Sequence, residues 1–290
     1  MRIGIIGLGA LGASLGLALR AAKGWEDVTG YDTSARVQNE AKRRGAIREG
    51  TRDVADLLSD AEVVVLAVPP LAVTRVLSEF GATLRPGTVI TDVATTKQAI
   101  LEAADRNVPA GSGFVGGHPL VNAAPGIEHA DAALFRGRSW RLATSAGTTE
   151  AHVGTVSAIV EVAGAIPYFV DPAEHDAWVA GVEQLPTIMA AALSNLAGAS
   201  DAWRELVRTS GQPFDDATRW AATRPEEGRD LALTNGVALV SWLDRLLSEL
   251  ADWREAIAES RGEALLQQFA SARALRERWE TERAGETPRK

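Results

Sequence analysis

The sequence lacks cysteine and has no excess of basic charge. Without cysteine, its 290 residues cannot form disulfides, thiolate metal sites or cysteine nucleophiles. Thirty Lys and Arg residues against 38 Asp and Glu residues give a formal net charge of −8, which disfavours a basic nucleic-acid-binding surface. No apolar run reaches the roughly 18 residues that span a bilayer. We therefore expect a cytoplasmic protein that binds neither nucleic acid nor membrane.

Short apolar runs alternate with helical patterns in the first half of the chain. Strands separated by helices of about 10–15 residues are typical of βαβ units. We expect an α/β domain over residues 1–170, with a doubly wound parallel sheet of the Rossmann type. The runs predict strands at Arg2–Ile6, Val28–Tyr31, Glu62–Val68, Thr88–Val93, Gly113–Gly116, Trp140–Ala143 and Ile166–Val170.

The second half of the chain shows no strand pattern. Asp171 and Pro172 have the character of a helix N-cap and first helical position, and this helix is predicted to run to about residue 199. Pro186 should kink it and free a carbonyl near Val182, because proline has no N–H. Further helices are predicted at 200–210, 213–222, 228–259 and 262–283. We expect an all-helical domain over 171–285, followed by a frayed tail at 286–290.

Tryptophan is concentrated in this helical half. Large apolar side chains at this density favour helix packing, and we expect a homodimer formed through the helical domain. Six of the eight tryptophans lie there: Trp178, Trp203, Trp220, Trp242, Trp253 and Trp279.

A glycine-rich loop follows the first predicted strand and opens a helix. Gly7, Gly9 and Gly12 form G-x-G-x-x-G, in the context that indicates a dinucleotide-binding loop. Gly7 permits the tight turn, Gly9 lets the backbone approach a pyrophosphate, and Gly12 lets the helix pack on the strand. Asp32, 20 residues beyond Gly12, is placed to accept the ribose hydroxyls, which favours NAD over NADP. The predicted cofactor-binding residues here are Gly7, Leu8, Gly9, Ala10, Leu11, Gly12 and Asp32.

Three further segments follow strands whose carboxyl ends should face the same crevice. Val68 and Pro69 end one strand and are predicted to contact the cofactor. Thr95 lies in a Thr-Asp-Val-Ala-Thr-Thr-Lys segment, and His118 follows a glycine pair that we expect to keep its surroundings open. A histidine at a strand end is a plausible general base near neutral pH. Thr95 and His118 are the predicted catalytic residues.

Taken together, these segments resemble the prephenate/arogenate dehydrogenase family of tyrosine biosynthesis over roughly residues 1–255. The likeness is carried by GLGALG, AVPP, TDVATTK, GGHP, His175-Asp176, Gln184-Leu185-Pro186, Asp216-Ala217-Thr218-Arg219, Arg229-Asp230 and Asn235. It implies an NAD-dependent oxidative decarboxylation of a cyclohexadienol. By the same resemblance, His118 takes the proton of the ring hydroxyl and Thr95 helps to hold that histidine and the nicotinamide. Arg219 binds a substrate carboxylate, since a guanidinium meets a carboxylate bidentately.

The sequence departs from the family on the kinked helix. The family commonly reads Ser-His-Leu-Pro-His there, whereas this chain reads Glu183-Gln184-Leu185-Pro186-Thr187. We assign Gln184 and Thr187, together with His175, to substrate binding. Glu183 would be unfavourable beside a dianionic substrate unless it faces away or meets an amino group, so arogenate or another aminated analogue stays an alternative to prephenate.

Two other functions fit a Rossmann half followed by a helical half. Hydroxyacid dehydrogenases need a catalytic lysine on the first long helix of the second domain, but the four lysines are Lys23, Lys42, Lys97 and Lys290. Imine reductases depend less on one residue and remain an alternative. A non-catalytic NAD-binding sensor is the third hypothesis, and the presence of His118 and Thr95 argues against it.

Overall fold

The computed structural model describes residues 1–286, and side chains up to residue 283. The described residues form one sheet and a series of helices. The strands are β1 (Ile3–Ile6), β2 (Val28–Tyr31), β3 (Glu49–Gly50), β4 (Val63–Leu66), β5 (Val89–Asp92), β6 (Gly113–Pro119), β7 (Ser139–Thr144) and β8 (Ile166–Phe169). The α-helices are α1 (Ala10–Arg20), α2 (Ala35–Arg44), α3 (Val54–Asp60), α4 (Pro70–Phe80), α5 (Gln98–Asn107), α6 (Glu150–Val162), α7 (Pro172–Val179), α8 (Leu185–Gly198), α9 (Trp203–Thr209), α10 (Gln212–Thr218), α11 (Pro225–Thr234), α12 (Gly236–Ala258) and α13 (Gly262–Glu286).

The sheet has the strand order β3-β2-β1-β4-β5-β6-β7-β8. Strands β1 to β6 pair in parallel, which confirms the doubly wound α/β fold. The pairing of β6 with β7 is antiparallel, a departure from the all-parallel prediction. Residues 120–138, between these strands, contain one 3₁₀ turn at Ile127–His129. A parallel neighbour needs a crossover helix, and this connection does not supply one.

Two apolar clusters cover the two faces of the sheet. Successive residues of β1 and β4 alternate between them, so that Ile5 joins the cluster of Leu15 and Trp140 while Ile6 joins that of Leu77 and Phe114. Because both faces are covered, these strands read in the sequence as continuous apolar runs rather than as alternating ones.

The helix that begins after β8 starts and breaks near the predicted positions. Asp171 Oδ1 accepts hydrogen bonds from the backbone N–H groups of Ala173 and Glu174, at 2.9 and 3.0 Å. The helix then changes to a π-helical turn at Ala180–Gln184, directly before α8 and Pro186. A proline cannot donate to the preceding turn, and the extra residue of a π turn accommodates this.

The prediction of one helix over 228–259 is wrong. α11 ends at Thr234 and α12 begins at Gly236. Between them Asn235 has non-helical backbone angles, φ −134° and ψ 31°, and its side chain is buried and hydrogen-bonded to other helices. Tertiary hydrogen bonds therefore override the helical pattern at this residue.

The chain divides into two compact units, the first being Met1–Gly236 and the second beginning at Val237. The helices from α7 to α11 thus group with the sheet, and the domain division predicted at residue 170 stays a prediction. In the second unit Trp253 and Phe269 pack edge to face, with ring centroids 4.7 Å apart. Within the described residues no helix is long and apolar enough to cross a membrane. Residues 287–290 of the predicted frayed tail lie outside the described part.

Candidate active site

The glycine loop lies at the carboxyl end of β1, next to β4. Gly7 has φ +92°, and a Cβ on it would lie 2.3 Å from the Ala67 carbonyl oxygen. A Cβ on Gly12 would lie 1.9 Å from the Gly7 carbonyl oxygen. Both positions therefore require glycine. A Cβ on Gly9 would meet nothing within 4 Å, and no side chain caps the N-terminus of α1. The loop thus leaves open space and unpaired N–H groups at a helix N-terminus, as a pyrophosphate requires.

Asp32 lies beside this loop, at the end of β2. Its Oδ2 accepts a hydrogen bond from the Leu8 N–H at 3.0 Å, and its Oδ1 accepts one from the Ser34 N–H at 2.9 Å. Each carboxylate oxygen can accept a further hydrogen bond. The side chain is therefore held in place and can still bind a ligand. Val68 and Pro69 lie at the end of β4, and Val68 Cγ1 would be 2.8 Å from a Cβ on Gly7. These residues fit the adenosine and phosphate groups of a dinucleotide.

His118 lies on β6 with only 6% of its surface exposed. The sequence suggested that the two glycines before His118 keep its surroundings open. The structure shows instead that their surroundings are closely packed. A Cβ on Gly116 would lie 3.0 Å from Lys97 Cδ, and one on Gly117 would lie 2.7 Å from Trp140 Nε1 and 2.4 Å from the Asp92 carbonyl oxygen. The glycine pair instead makes room for neighbouring side chains that fix this end of β6.

Lys97 and Asp92 form a fully buried ion pair near His118. Lys97 Nζ also donates to the Gly117 carbonyl at 2.7 Å, and Asp92 Oδ1 accepts from the Gly117 N–H at 2.9 Å. Burial raises the pKa of Asp92 and lowers that of Lys97, and the attraction between the two opposes both changes. The pair ties β5 to β6, and it leaves Lys97 without the exposure that a catalytic lysine needs.

A chain of three side chains begins at His118 Nδ1. This nitrogen lies 3.0 Å from His175 Nε2, and His175 Nδ1 lies 2.9 Å from Asp176 Oδ1. The Asp176 carboxylate also accepts hydrogen bonds from the backbone N–H groups of Lys97 and Gln98, each at 2.8 Å. His175 and Asp176 are each 2% exposed. The contact leaves His118 Nε2 as the ring nitrogen for a ligand.

Burial and nearby positive charge act together on His118. Burial disfavours the charged ring and lowers its pKa well below 6.5, and the positive charges of Lys97 and Arg141 lower it further. His118 is therefore neutral at physiological pH. A neutral imidazole with a free Nε2 can accept a proton, which is what a general base does.

Two residues that the sequence assigned to substrate binding are engaged inside the protein. Both ring nitrogens of His175 are used by the chain to His118. Gln184 is 2% exposed; its Oε1 accepts from Asn235 Nδ2 at 2.9 Å, and its Nε2 donates to the Leu231 carbonyl at 3.5 Å. Asn235 Nδ2 also donates to the Asp176 carbonyl at 2.7 Å. His175 and Gln184 therefore support the site through contacts within the protein, and their assignment to substrate binding stays a prediction.

Thr95 and Thr187 keep their assignments only as predictions. Thr95 is half-buried at the end of the β5 loop. The ring contact of His118 is with His175, not with Thr95. The neighbouring Thr96 instead donates to Thr234 Oγ1 at 2.9 Å, which ties this loop to α11. The Thr187 hydroxyl donates a hydrogen bond to the Glu183 carbonyl at 2.9 Å, so this side chain is bound to the π turn.

Arg219 is exposed and lies in a 3₁₀ turn after α10. Its guanidinium pairs with Asp216, three residues earlier. An ion pair in which both side chains are more than half exposed is weak, so a substrate carboxylate could take the place of Asp216. Carboxylate binding by Arg219 stays a prediction.

Sequence reasoning missed Arg141. It lies on β7 directly opposite His118 in the antiparallel register, and its guanidinium carbon is 4.2 Å from the ring centroid of Tyr168. Only the pairing of β6 with β7 brings this charge beside His118. No local sequence signal marks it, because the two residues are 23 positions apart.

Comparison with known proteins agrees with this geometry. A family model described as the prephenate dehydrogenase nucleotide-binding domain matches residues 15–168, and one described as the prephenate dehydrogenase dimerization domain matches residues 171–271. The chain belongs to the prephenate dehydrogenase family. Membership confirms the resemblance read from the glycine loop, TDVATTK and GGHP.

Individual family members are similar over almost the whole chain. A cyclohexadienyl dehydrogenase of Zymomonas mobilis is 28% identical over 277 residues, which is 94% of each chain. The crystal structure of Synechocystis arogenate dehydrogenase is 28% identical, covers 96% of this chain and 100% of its own, and superposes with a TM-score of 0.80. A prephenate dehydrogenase of A. aeolicus, solved with hydroxyphenyl propionate and NAD⁺, is 24% identical over 96% of this chain and 98% of its own, with a TM-score of 0.87. The last likeness concerns the fold alone.

Proposed function

We propose that this prephenate dehydrogenase family member catalyses the NAD-dependent oxidative decarboxylation of a cyclohexadienyl substrate. The observation that carries the proposal is the neutral, buried His118, whose Nε2 is free while its Nδ1 is held by His175. We further propose that residues 1–170 form the NAD-binding domain and that residues 171–285 form a helical domain for substrate binding and dimerisation.

The residues of the chain have separate tasks in this reaction. The Gly7–Gly12 loop and the N-terminus of α1 bind the pyrophosphate, Asp32 binds the ribose hydroxyls, and Val68 and Pro69 line the cofactor crevice. Bound NAD would supply the acceptor for a hydride from the ring carbon that bears the hydroxyl, and loss of CO₂ would leave the ring aromatic. His118 Nε2 accepts the hydroxyl proton, for which its neutral form is required. Arg219 binds a carboxylate of the substrate.

The cofactor preference is testable by titration. We expect NAD to bind more tightly than NADP, because the Asp32 carboxylate would repel a 2′-phosphate. Asp32→Asn should weaken NAD binding by about 10–100-fold, the scale of hydrogen bonds to a charged group. Asp60→Asn, which neutralises an exposed carboxylate at the end of α3, is the matched control. Equal affinity for both dinucleotides in the unchanged protein would remove the role of Asp32.

Glu183 favours an aminated substrate over prephenate. It lies in the π turn near His175, and partial removal from water raises its pKa. A carboxylate in this position repels a second substrate carboxylate but attracts an ammonium group. We therefore expect arogenate to be the better substrate. NADH formation with prephenate and with arogenate, measured side by side, decides between them, and turnover of neither substrate would refute the proposed reaction.

We propose a homodimer formed through the helical segments. The match to a dimerization domain at 171–271 supports it, as do exposed apolar side chains such as Leu196, Trp203 and Val207. Light scattering should give twice the mass of the 30.7 kDa chain. A monomer at micromolar concentration would contradict the dimer.

We also propose that the enzyme works in the cytoplasm. The absence of cysteine is compatible with a reducing compartment. Fractionation of cells that express the chain, followed by immunodetection, tests this location. Recovery with an extracellular or membrane fraction would contradict it.

A further inference from the structure

We propose that His175 is a positioning residue that fixes His118 in the tautomer with hydrogen on Nδ1 and a free lone pair on Nε2. The inference deepens the proposed function, since it rests on His118 as the proton acceptor. It assigns His175 and Asp176 a task that neither of them performs by touching the substrate.

The assignment starts from the Asp176 end of the chain. The Asp176 carboxylate already accepts the backbone N–H groups of Lys97 and Gln98, so it acts as an acceptor. His175 Nδ1, 2.9 Å from Asp176 Oδ1, must then carry a hydrogen. In a neutral ring this leaves Nε2 of His175 as an acceptor.

The accepting nitrogen of His175 in turn decides which nitrogen of His118 carries the hydrogen. Its Nδ1 lies 3.0 Å from the accepting Nε2 of His175, so Nδ1 of His118 must donate. Nε2 of His118 therefore holds the lone pair. The opposite tautomer would put hydrogen on Nε2, and the substrate hydroxyl would then have no acceptor.

A doubly protonated His175 is the one arrangement that would reverse this order, since it would donate to His118 Nδ1. The charged groups around the two rings are Lys97 and Arg141 beside His118, and Asp176 and Glu183 beside His175. Two of these are positive and disfavour another cation near His118.

The arrangement also helps the proton transfer itself. When Nε2 of His118 receives a proton, its Nδ1–H becomes the donor of a charge-assisted hydrogen bond to His175. Asp176, at the far end, is held by two N–H groups and cannot turn away. The chain therefore presents the base and stabilises the imidazolium that forms.

Nitrogen NMR reads the tautomer without any turnover. In the ¹⁵N-labelled chain only four histidines contribute, His118, His129, His152 and His175, and single variants assign them. At pH 8 we expect Nδ1 of His118 to give the resonance of a protonated nitrogen and Nε2 that of an unprotonated one. Protonated Nε2 on His118, or protonation of both nitrogens of His175, would overturn the proposal.

Two variants of similar size separate positioning from packing. Gln at position 175 keeps an acceptor oxygen for the Nδ1–H of His118, whereas Leu removes it. We expect His175→Leu to lower kcat by about 10²–10⁴-fold and His175→Gln to lower it at least tenfold less, with NAD affinity unchanged in both. The control is His129→Gln, because His129 is half exposed and should leave kcat unchanged.

The outcomes distinguish this proposal from the proposed reaction. Equal losses in His175→Leu and His175→Gln would show that packing, not tautomer control, is the task of His175. If His175→Leu does not fold, the NMR spectrum of the unchanged protein still decides the tautomer. A protein with the expected tautomer that turns over neither arogenate nor prephenate would refute the reaction while leaving the chain of hydrogen bonds intact.

Discussion

The surroundings of His118 and the segment around Arg219 are built in opposite ways. Around His118 the side chains are buried and hydrogen-bonded within the protein, from Asp92 and Lys97 to Asn235. Around Arg219 they are exposed, and the adjacent helices α8 to α10 border an apolar cavity of about 200 Å³ lined by Trp203, Leu206 and Phe214. The groups around His118 are thus fixed by contacts within the protein, whereas those around Arg219 are exposed and open to a ligand.

Among the variants that test this comparison, replacement of His118, the proposed base, should have the largest effect on activity. We expect His118→Asn to lower kcat by about 10²–10⁴-fold, the range for a lost general base. NAD affinity should stay unchanged, because the Gly7–Gly12 loop and Asp32 are separate from the ring. Steady-state kinetics with arogenate and NAD titration measure both. Turnover close to that of the unchanged enzyme would take the general-base role away from His118.

Removal of the buried ion pair near His118 tests how much the buried contacts there contribute to the free energy of unfolding. Lys97→Met leaves the Asp92 carboxylate buried without its partner and should lower the free energy of unfolding by about 3–5 kcal/mol. Urea denaturation measures the loss. Arg273→Met removes an exposed pair with Glu277 and is expected to cost under about 1 kcal/mol. Similar losses in the two variants would mean that the pair does not fix β6 as inferred.

Arg219→Ala tests the exposed segment around Arg219. We expect it to raise KM for the cyclohexadienyl acid by about tenfold and to change kcat little, the pattern for lost binding that ground state and transition state share. Arg208→Ala, which removes a similarly exposed arginine paired with Glu205, is the control. An unchanged KM in Arg219→Ala would return this residue to the solvated surface.

The pH profile should show the smallest of these effects. Because the pKa of His118 is lowered, kcat/KM should stay high through pH 6.5 and fall only at lower pH, where the ring takes up a proton. Arg141→Met removes one of the charges that lower this pKa, so the acidic limb should move to higher pH by a fraction of a unit. A move in the other direction would contradict the influence of Arg141.

The same protonation is linked to folding. The unfolded chain binds a proton to His118 near its ordinary pKa, while the folded chain binds it only at lower pH. Folding therefore loses stability as the pH falls below about 6.5.

The sequence predicted correctly those elements whose conformation depends on residues adjacent in the chain. The strand–glycine–helix order around Gly7 and the helix start at Asp171 require only neighbouring residues, and both formed as expected. The interruption before Pro186 follows from a missing N–H, so it too could be predicted from the sequence.

The remaining features depend on residues far apart in the chain. The break at Asn235 arises from hydrogen bonds to Asp176 and Gln184, which no helical pattern reveals. The closeness of Arg141 to His118 follows from an antiparallel strand pair. The pairing of His175 with His118 links positions 57 residues apart, so a sequence could suggest both residues but not their contact.

The two glycines before His118 limit how this enzyme can diverge. A side chain at Gly116 or Gly117 would collide with Lys97, Trp140 or the backbone of β5, so these two positions before His118, the proposed base, do not tolerate larger residues. Changes that retune its proton affinity must come from residues on other elements, such as Arg141 on β7 or Glu183 in the π turn. Related enzymes with different pH ranges or substrates should therefore differ at those neighbours while they share the strand itself.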